Sequence, residues 1–413
     1  MVDDKMFKKI KKTSDPKKRK FTTLETILLV IMSLLIGLLI GSLFSKTNTI
    51  TKKTTISDQD LKEFIKNYEY ILNNYYEKLD KRDLINSAIN GMMESLDDPY
   101  SAYLDETESE NFTIALDGSY QGIGVQIVKN EETGNILIAS VFKDSPAFNA
   151  GLKSGDEIVS VDDFLTKDYS ASEFSKMIKE SEKESFELKV LRDGEILTLT
   201  LKRKLVTLSS VASEIYKRGD KKIGYIYIGI FANNTYYQFK DLLDELEKEK
   251  IDSLIIDVRG NTGGHLTAVD SIIDIFLTDK QIMYGFEQGG KKTYTYGTGK
   301  TNKNYEIVLL GDETSASASE VLISSLKENL GSKFFGKKTY GKGTVQELIS
   351  LSDGTQYKLT IKKWLTPKGN WVNETKGVIP DEEVELDKKY FETLSDEDDT
   401  QLNYAIKYLT NKK

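Results

Sequence analysis

Cysteine is absent from the 413 residues and histidine occurs once, at position 265. These two shortages exclude disulfides, thiol nucleophiles, a Cys-linked lipid and multi-histidine metal centres. Net positive charge is confined to the N-terminus. Residues 1–45 hold nine Lys/Arg against four Asp/Glu, so the net charge of −8 becomes −13 for the remainder, which speaks against nucleic acid as a partner. Apolar residues (39%) and 22 tyrosines are enough to build cores, and the length implies two or three packed units.

Residues 26–45 lack charge altogether and are rich in Leu and Ile. At about 1.5 Å rise per residue they span roughly 30 Å of hydrocarbon. The preceding Lys5, Lys8, Lys9, Lys11, Lys12, Lys17, Lys18, Arg19 and Lys20 keep that end cytoplasmic by the positive-inside rule and export the chain beyond residue 46. The apolar run is longer than a signal-peptide core and no A-x-A-like site comes after it, which favours an uncleaved anchor. The expectation is a cytoplasmic basic tail (1–25), a single transmembrane anchor in the cell membrane (26–45), a Thr/Lys-rich tether (46–56) and an extracytoplasmic remainder.

Hydrophobic periodicity divides that remainder. Leu61, Phe64, Ile65, Tyr68, Ile71 and Leu72, then Leu84, Ile85, Ala88, Ile89, Met92 and Met93, predict helices within 57–117, the second stopped by Asp97-Asp98-Pro99. Residues 118–203 read as a compact β-rich module with strands at 122–128 and 136–141, a helix at 171–179 and a hairpin turning at Arg192-Asp193-Gly194. Residues 204–390 alternate strands (223–230, 253–258, 305–310) with helices (239–249, 266–276, 317–329), the order of an α/β core with functional residues at strand ends and helix starts. Residues 391–413 form a C-terminal helical tail.

Within the core, Ser315-Ala316-Ser317-Ala318-Ser319-Glu320 comes after an apolar strand and opens a helix. The spacing fits a capping box, with Ser317 as N-cap and Glu320 three residues on. The spacing alone favours that cap, but the cap is compatible with a nucleophile, since a hydroxyl there sits beside free backbone N–H groups able to hold an oxyanion. The base for such a serine is His265, a lysine or a carboxylate. Gly341-Lys342-Gly343-Thr344-Val345-Gln346 offers Lys342 between glycines that allow close backbone approach, and Gln346 on the same face of an extended strand to orient the amine. To act as a base Lys342 must be buried away from water and anions. A phosphate loop is disfavoured because Gly343 stands where Ser or Thr would bind magnesium.

In Asp257-Val258-Arg259-Gly260-Asn261-Thr262-Gly263-Gly264 the paired glycines expose N–H donors, while Asp257 and Arg259 can brace the turn. Gln121-Gly122-Ile123-Gly124-Val125 lacks the third glycine of a dinucleotide fingerprint, and such a loop before an edge strand can cradle a peptide C-terminal carboxylate. No cofactor and no metal is expected.

Together these motifs resemble the carboxyl-terminal processing (tail-specific) serine proteases over nearly all the exported chain. The resemblance begins at residues 91–101 and runs through Tyr120 to Val125, Ser145-Pro146-Ala147, Gly151-Leu152, Gly155-Asp156 and the core motifs, to Thr366-Pro367-Lys368-Gly369 and Gly377-Val378-Ile379-Pro380-Asp381. It implies a serine endopeptidase with an α/β protease core and an inserted PDZ-like domain that recognises the C-terminal tails of protein or peptide substrates. Ser317 would be nucleophile, Lys342 base and Gln346 its orienting partner. The amides of Ala318, Gly263 and Gly264 would form the oxyanion site, and the terminal helices could build a homodimer. The family usually has one aspartate where Asp97-Asp98-Pro99 stands, a loop expected to lie away from the catalytic motifs. An inactive PDZ scaffold at the membrane and a Ser317–His265 hydrolase are the alternatives.

Overall fold

The computed structural model describes residues 56–181, 183–299 and 303–411. The basic tail, the anchor and nearly all of the tether lie outside the described residues, and no helix within them is long and apolar enough to cross a membrane. The described residues before Ile85 cluster as a unit of their own. There α1 (Asp58–Asn74) is capped by Ser57, whose side chain accepts from the Asp60 amide. Its helical-period residues Leu61, Phe64, Ile65 and Ile71 are all exposed.

Next in the chain come α2 (Lys81–Glu94), β1 (Ala102–Leu104) and α3 (Glu106–Asp117), the last opened by a reciprocal Asp105–Glu108 capping box. The β-rich module then comprises β2 (Ser119–Gly122), β3 (Val125–Lys129), β4 (Ile136–Val141), α4 (Pro146–Asn149), β5 (Glu157–Val161), β6 (Phe164–Leu165), α5 (Ala171–Glu180), β7 (Ser185–Arg192), β8 (Glu195–Lys202) and β9 (Lys204–Thr207). Its sheet runs β3-β4-β5-β7-β8 and is antiparallel throughout. Ile136, Ile138, Ile158, Leu188 and Val190 from the strands meet Phe174 and Ile178 from α5 in its core. Asp193 (φ +51) and Gly194 (φ +84) make the two-residue turn, both left-handed as a tight hairpin following strand twist requires. The single strand expected at 122–128 is two: Gly124, at φ +84, breaks the run and leaves Gly122 at the end of β2 and Val125 at the start of β3. β2 pairs with β9, Ser119 opposite Thr207, where the chain enters and leaves the module.

The core contains β10 (Val211–Arg218), β11 (Lys221–Ile228), α6 (Thr235–Lys248), β12 (Ser253–Asp257), α7 (Leu266–Asp274), β13 (Ile282–Gln288), β14 (Lys291–Tyr296), β15 (Glu306–Gly311), α8 (Ala318–Leu330) and β16 (Lys333–Gly336). It continues with β17 (Thr344–Ser350), β18 (Gln356–Leu365), α9 (Val372–Thr375), β19 (Glu382–Glu383), α10 (Lys388–Thr393) and α11 (Thr400–Asn411). One sheet has the order β10-β11-β12-β15-β16-β19 and is parallel from β11 onward. Every residue of β12 is buried because both faces of the sheet are covered, which is why parallel strands read as unbroken apolar runs. Leu254 and Ile256 meet Phe239, Leu243, Val269, Ile272 and Leu322 of α6, α7 and α8. Ile255, pointing the opposite way, packs with Leu402, Ile406 and Leu409 of α11.

β12 and β15 are neighbours with Asp257 opposite Leu310, so the turns leaving their carboxyl ends lie side by side. A second, antiparallel sheet, β1-β18-β13-β14 with β17 on β18, brings in residues 341–346 and the segment preceding β1.

Candidate active site

The turn that carries Ser317 is built by short polar contacts after β15. Asp312 Oδ1 accepts from the amides of Thr314 and Ser315, and Ser315 Oγ donates to Val258 O at 2.8 Å, joining the ends of β15 and β12. Ser317 stands just beyond at φ +54, ψ −113, a conformation costly for a residue with a Cβ and sustained only where the surroundings over-determine it. It is the N-cap of α8, and its amide donates to Glu320 Oε2 at 2.9 Å, so the Glu320 half of the capping box is formed.

Asn261, fully buried, fastens the neighbouring turn. Its Nδ2 donates to Ile228 O (2.9 Å) and its Oδ1 accepts from Gly263 N (2.8 Å), while its carbonyl takes Ala316 N (3.1 Å) and Ser319 Oγ (2.8 Å). A Cβ on Gly263 would stand 3.0 Å from Ala316 O, and one on Gly264 2.3 Å from Phe231 O, so two backbones touch here and only glycine fits. The expectation that Gly263 offers its N–H to substrate is corrected, because Asn261 occupies that donor. Among the described residues the amides of Gly264 and Ala318 make no hydrogen bond.

Lys342 arrives on a loop pinned from several sides. Gly341 (φ +94) crosses residues 376–377 so closely that a Cβ would come within 2.8 Å of Gly377 N. Trp364 Nε1 donates to Lys342 O (2.7 Å), Trp371 Nε1 to Gly343 O (2.8 Å), and Gly343 N to Asn373 Oδ1 (2.5 Å). The result is one cavity of about 470 Å³ lined by Ser317, Ala318, Gly263, Gly264, Lys342 and Gln346 together. Burial, then the nearby Lys358, pushes the Lys342 amine below the ordinary lysine range, while Asp98 and Glu320 pull the other way. The amine stacks 5.1 Å from the centroid of the Tyr100 ring. Among the described residues no hydrogen bond joins it to Ser317 or Gln346.

Gln346 lines the cavity by a different route from the even alternation expected. The β17–β18 register shifts between Val345 and Gln346, so the simple two-residue period fails there. The Gln346 amide donates instead to Thr344 Oγ1 (3.0 Å) and Thr360 Oγ1 (3.1 Å). The loop at 97–99, expected far from the chemistry, in fact adjoins it. β1 pairs with β18, Thr360 N donates to Ser101 Oγ and Ser101 Oγ to Asp98 Oδ2, which carries Tyr100 to Lys342. Tyr100, Asp98 and Lys358 were not read as site residues from sequence; the Asp-Asp-Pro-Tyr run was the available signal. His265 also lines the cavity, with Nε2 buried and unpartnered and its pKa lowered by burial.

In the β-rich module Gln121, Gly122, Ile123 and Val125 line a smaller cavity of about 80 Å³ with Phe174 and Ile178. β3 pairs only with β4 and so presents a free edge among the described residues. Gly124 faces away: its carbonyl accepts from Phe142 N and Ser145 Oγ, and a Cβ would meet Ser145 Cβ at 2.2 Å. Glu110 and Ile114 of α3 close one side, with Lys176–Glu106 and Lys179–Glu110 ion pairs of 2.7 Å joining α5 to α3. Among the described residues no group of His, Asp and Glu converges as metal ligands.

The profile described as Peptidase family S41 matches residues 222–384, that of the PDZ domain residues 121–202, and that of the activating protease CtpB N-terminal domain residues 42–108. Carboxy-terminal processing protease CtpB of Bacillus subtilis is 39% identical over 327 residues, covering 78% of this chain and 67% of that protein. CtpA of the same organism is 34% identical, covering 81% and 71%. The solved photosystem II D1 C-terminal processing protease is 24% identical, covers 80% of this chain and 94% of that one, and superposes with a TM-score of 0.46. The chain belongs to the carboxy-terminal processing serine proteases of peptidase family S41 and carries a PDZ domain.

Proposed function

We propose that this protease is an endopeptidase for exported proteins, in which Ser317 is the nucleophile and Lys342 the general base. Neutral Lys342 takes the Ser317 hydroxyl proton as Oγ bonds to the scissile carbonyl carbon. The carbonyl π pair moves onto oxygen, facing the Gly264 and Ala318 amides. Collapse breaks the C–N bond, the ammonium returns its proton to the leaving amine, and water then releases the acyl group by the same proton path. The observation that carries this reading is a serine at φ +54 beside two unused amides, sharing one cavity with a half-buried lysine whose pKa is lowered. Lys342 leaves the Tyr100 face to reach Ser317, and Gln346, on the same wall, receives and orients the amine.

In the same reading the edge of β3 and the loop 121–125 take the C-terminal tail of a substrate as an added strand, its carboxylate at the loop. Residues 26–45 anchor the chain with the N-terminus cytoplasmic and the catalytic part outside, and the exposed apolar face of α1 serves a homodimer. Ser317→Ala and Lys342→Ala should each abolish cleavage of a tailed peptide while tail binding persists, and His265→Ala should stay active. Cleavage by Lys342→Ala together with its loss in His265→Ala would replace the lysine with the histidine as base. Protease accessibility of the catalytic part on intact cells tests the topology.

A further inference from the structure

Glu320 is 0% exposed, an unusual position for a carboxylate, and one helix cap does not account for it. Only one of its four hydrogen bonds belongs to the capping box. Oε2 accepts from Ser317 N (2.9 Å) and also from Lys342 N (2.8 Å); Oε1 accepts from Gly341 N (2.7 Å) and Thr339 Oγ1 (2.6 Å). Three of the donors therefore come from a segment about twenty residues further along the chain, the loop that carries the lysine. The Thr339 hydroxyl accepts in turn from Val378 N (2.7 Å), which extends the connection to the strap crossing Gly341.

We propose that Glu320 is the positioning residue that sets Ser317 and Lys342 against each other, its two oxygens bridging the backbone of the nucleophile to the backbone of the base. This rests on the Ser317–Lys342 reading above. The geometry supports it twice. Ser317 holds φ +54 with its amide fixed by Glu320, and Lys342 has its own amide fixed by the same oxygen, so the two residues share one point of attachment. Three of the four partners are backbone N–H groups that can only donate, which favours the carboxylate, although burial pushes its pKa up. The charged groups acting on the Lys342 amine are Lys358, Asp98 and Glu320, with the Tyr100 ring against it. Of the two carboxylates, Glu320 is the one tied to both reacting residues.

Glu320→Gln keeps the shape but turns one oxygen into an NH₂ group that must face at least one backbone N–H donor, whichever way the amide is placed. In the full-length chain, kcat for a tailed peptide should fall at least about 100-fold with KM within about threefold, since misplacement of reacting groups by about 1 Å has that effect. The residual activity should have its acid limb at lower pH than wild type, because a negative charge that favours the lysine ammonium is gone. Labelling of Ser317 by a fluorophosphonate should slow in parallel. A lowered kcat with an unmoved acid limb, or wild-type kcat, overturns the inference.

If Glu320→Gln does not melt cooperatively, Thr339→Val decides. It removes one donor and should lower kcat about 5- to 10-fold, with Thr339→Ser restoring it; unchanged kcat in Thr339→Val overturns the inference. Lys342→Ala is run alongside. Activity there defeats the underlying Ser–Lys reading, whereas an inactive Lys342→Ala beside a fully active Glu320→Gln defeats only the positioning role.

Discussion

Replacing Arg259 by Met removes the counter-charge of two buried carboxylates at once. The guanidinium Nε donates to both Asp257 oxygens (3.0 and 2.9 Å) and Nη2 to Asp257 Oδ2 (2.5 Å) and Asp399 Oδ2 (2.8 Å). Nη1 donates to Asp399 Oδ1 and Gln401 Oε1, both at 3.0 Å. The side chains of Asp257 and Asp399 are 1% and 2% exposed and that of Arg259 11%, so solvent does little to screen the loss. Breaking a buried pair by deleting one partner costs about 3–5 kcal/mol. Two carboxylates are affected here, but Asp257 keeps Tyr225 OH (2.9 Å) and Asp399 keeps Leu402 N (2.9 Å), which places the expected loss near about 4 kcal/mol. At roughly 2–4 °C per kcal/mol for a domain of this size, the melting temperature should drop by about 8–16 °C. Arg259→Lys keeps the charge without the fork and should fall in between. The assay is thermal unfolding monitored by circular dichroism, with peptide cleavage measured well below the transition. Because Arg259 leads directly into the Gly263–Gly264 turn and Asp399 into α11, cleavage should decline before the fold is lost. A melting temperature within about 3 °C of wild type would refute the reasoning.

Three further outcomes concern the site and its surroundings. Lys358→Met should move the acid limb of the pH–rate profile upward and Asp98→Asn downward, since the first residue lowers and the second raises the Lys342 pKa; identical limbs in both variants would contradict that assignment. Gly264→Ala should reduce kcat at least about 100-fold in single-turnover assays, because a Cβ 2.3 Å from Phe231 O at φ +138 forces the turn to move. Asp270, half-buried with its Oδ1 enclosed and unpartnered, has its pKa raised from 3.8 to about 6. A folded-state pKa above the unfolded one gives a contribution present at low pH and lost as pH rises through about 6, worth about 3 kcal/mol. Asp270→Asn should remove that slope from urea-unfolding data between about pH 4 and 7, and an unchanged slope would count against it.

How much of this was legible in the sequence depends on which interactions are local. The parallel strands at 253–257 and 306–311 could be read because burial on both faces makes each an apolar run, and the Ser317 turn because a serine cluster opens a helix directly after one of them. The antiparallel sheet of β13, β14, β17 and β18 was largely hidden. Its Lys, Thr and Tyr residues are mostly half-buried or exposed and carry a weak hydrophobic pattern. Tyr100 meets Lys342 only through the β1–β18 pairing, a contact across more than 240 positions that no local pattern encodes. Glu320 was visible as a cap and nothing more, because its other three donors arrive from residues 339–342. The bulge at Gln346 defeats alternation at the one place where the site depends on it.

The short ladder of β2 against β9 has an architectural consequence. Ser119 and Thr207 are direct partners, so the polypeptide departs for the PDZ domain and returns from it through a single doorway. A tight loop closing that doorway would excise the domain without opening any strand of the six-stranded sheet. The catalytic body and its PDZ attachment are thus joined covalently at one place, and an exchange of the domain has to preserve only that ladder and the α5–α3 ion pairs beside it.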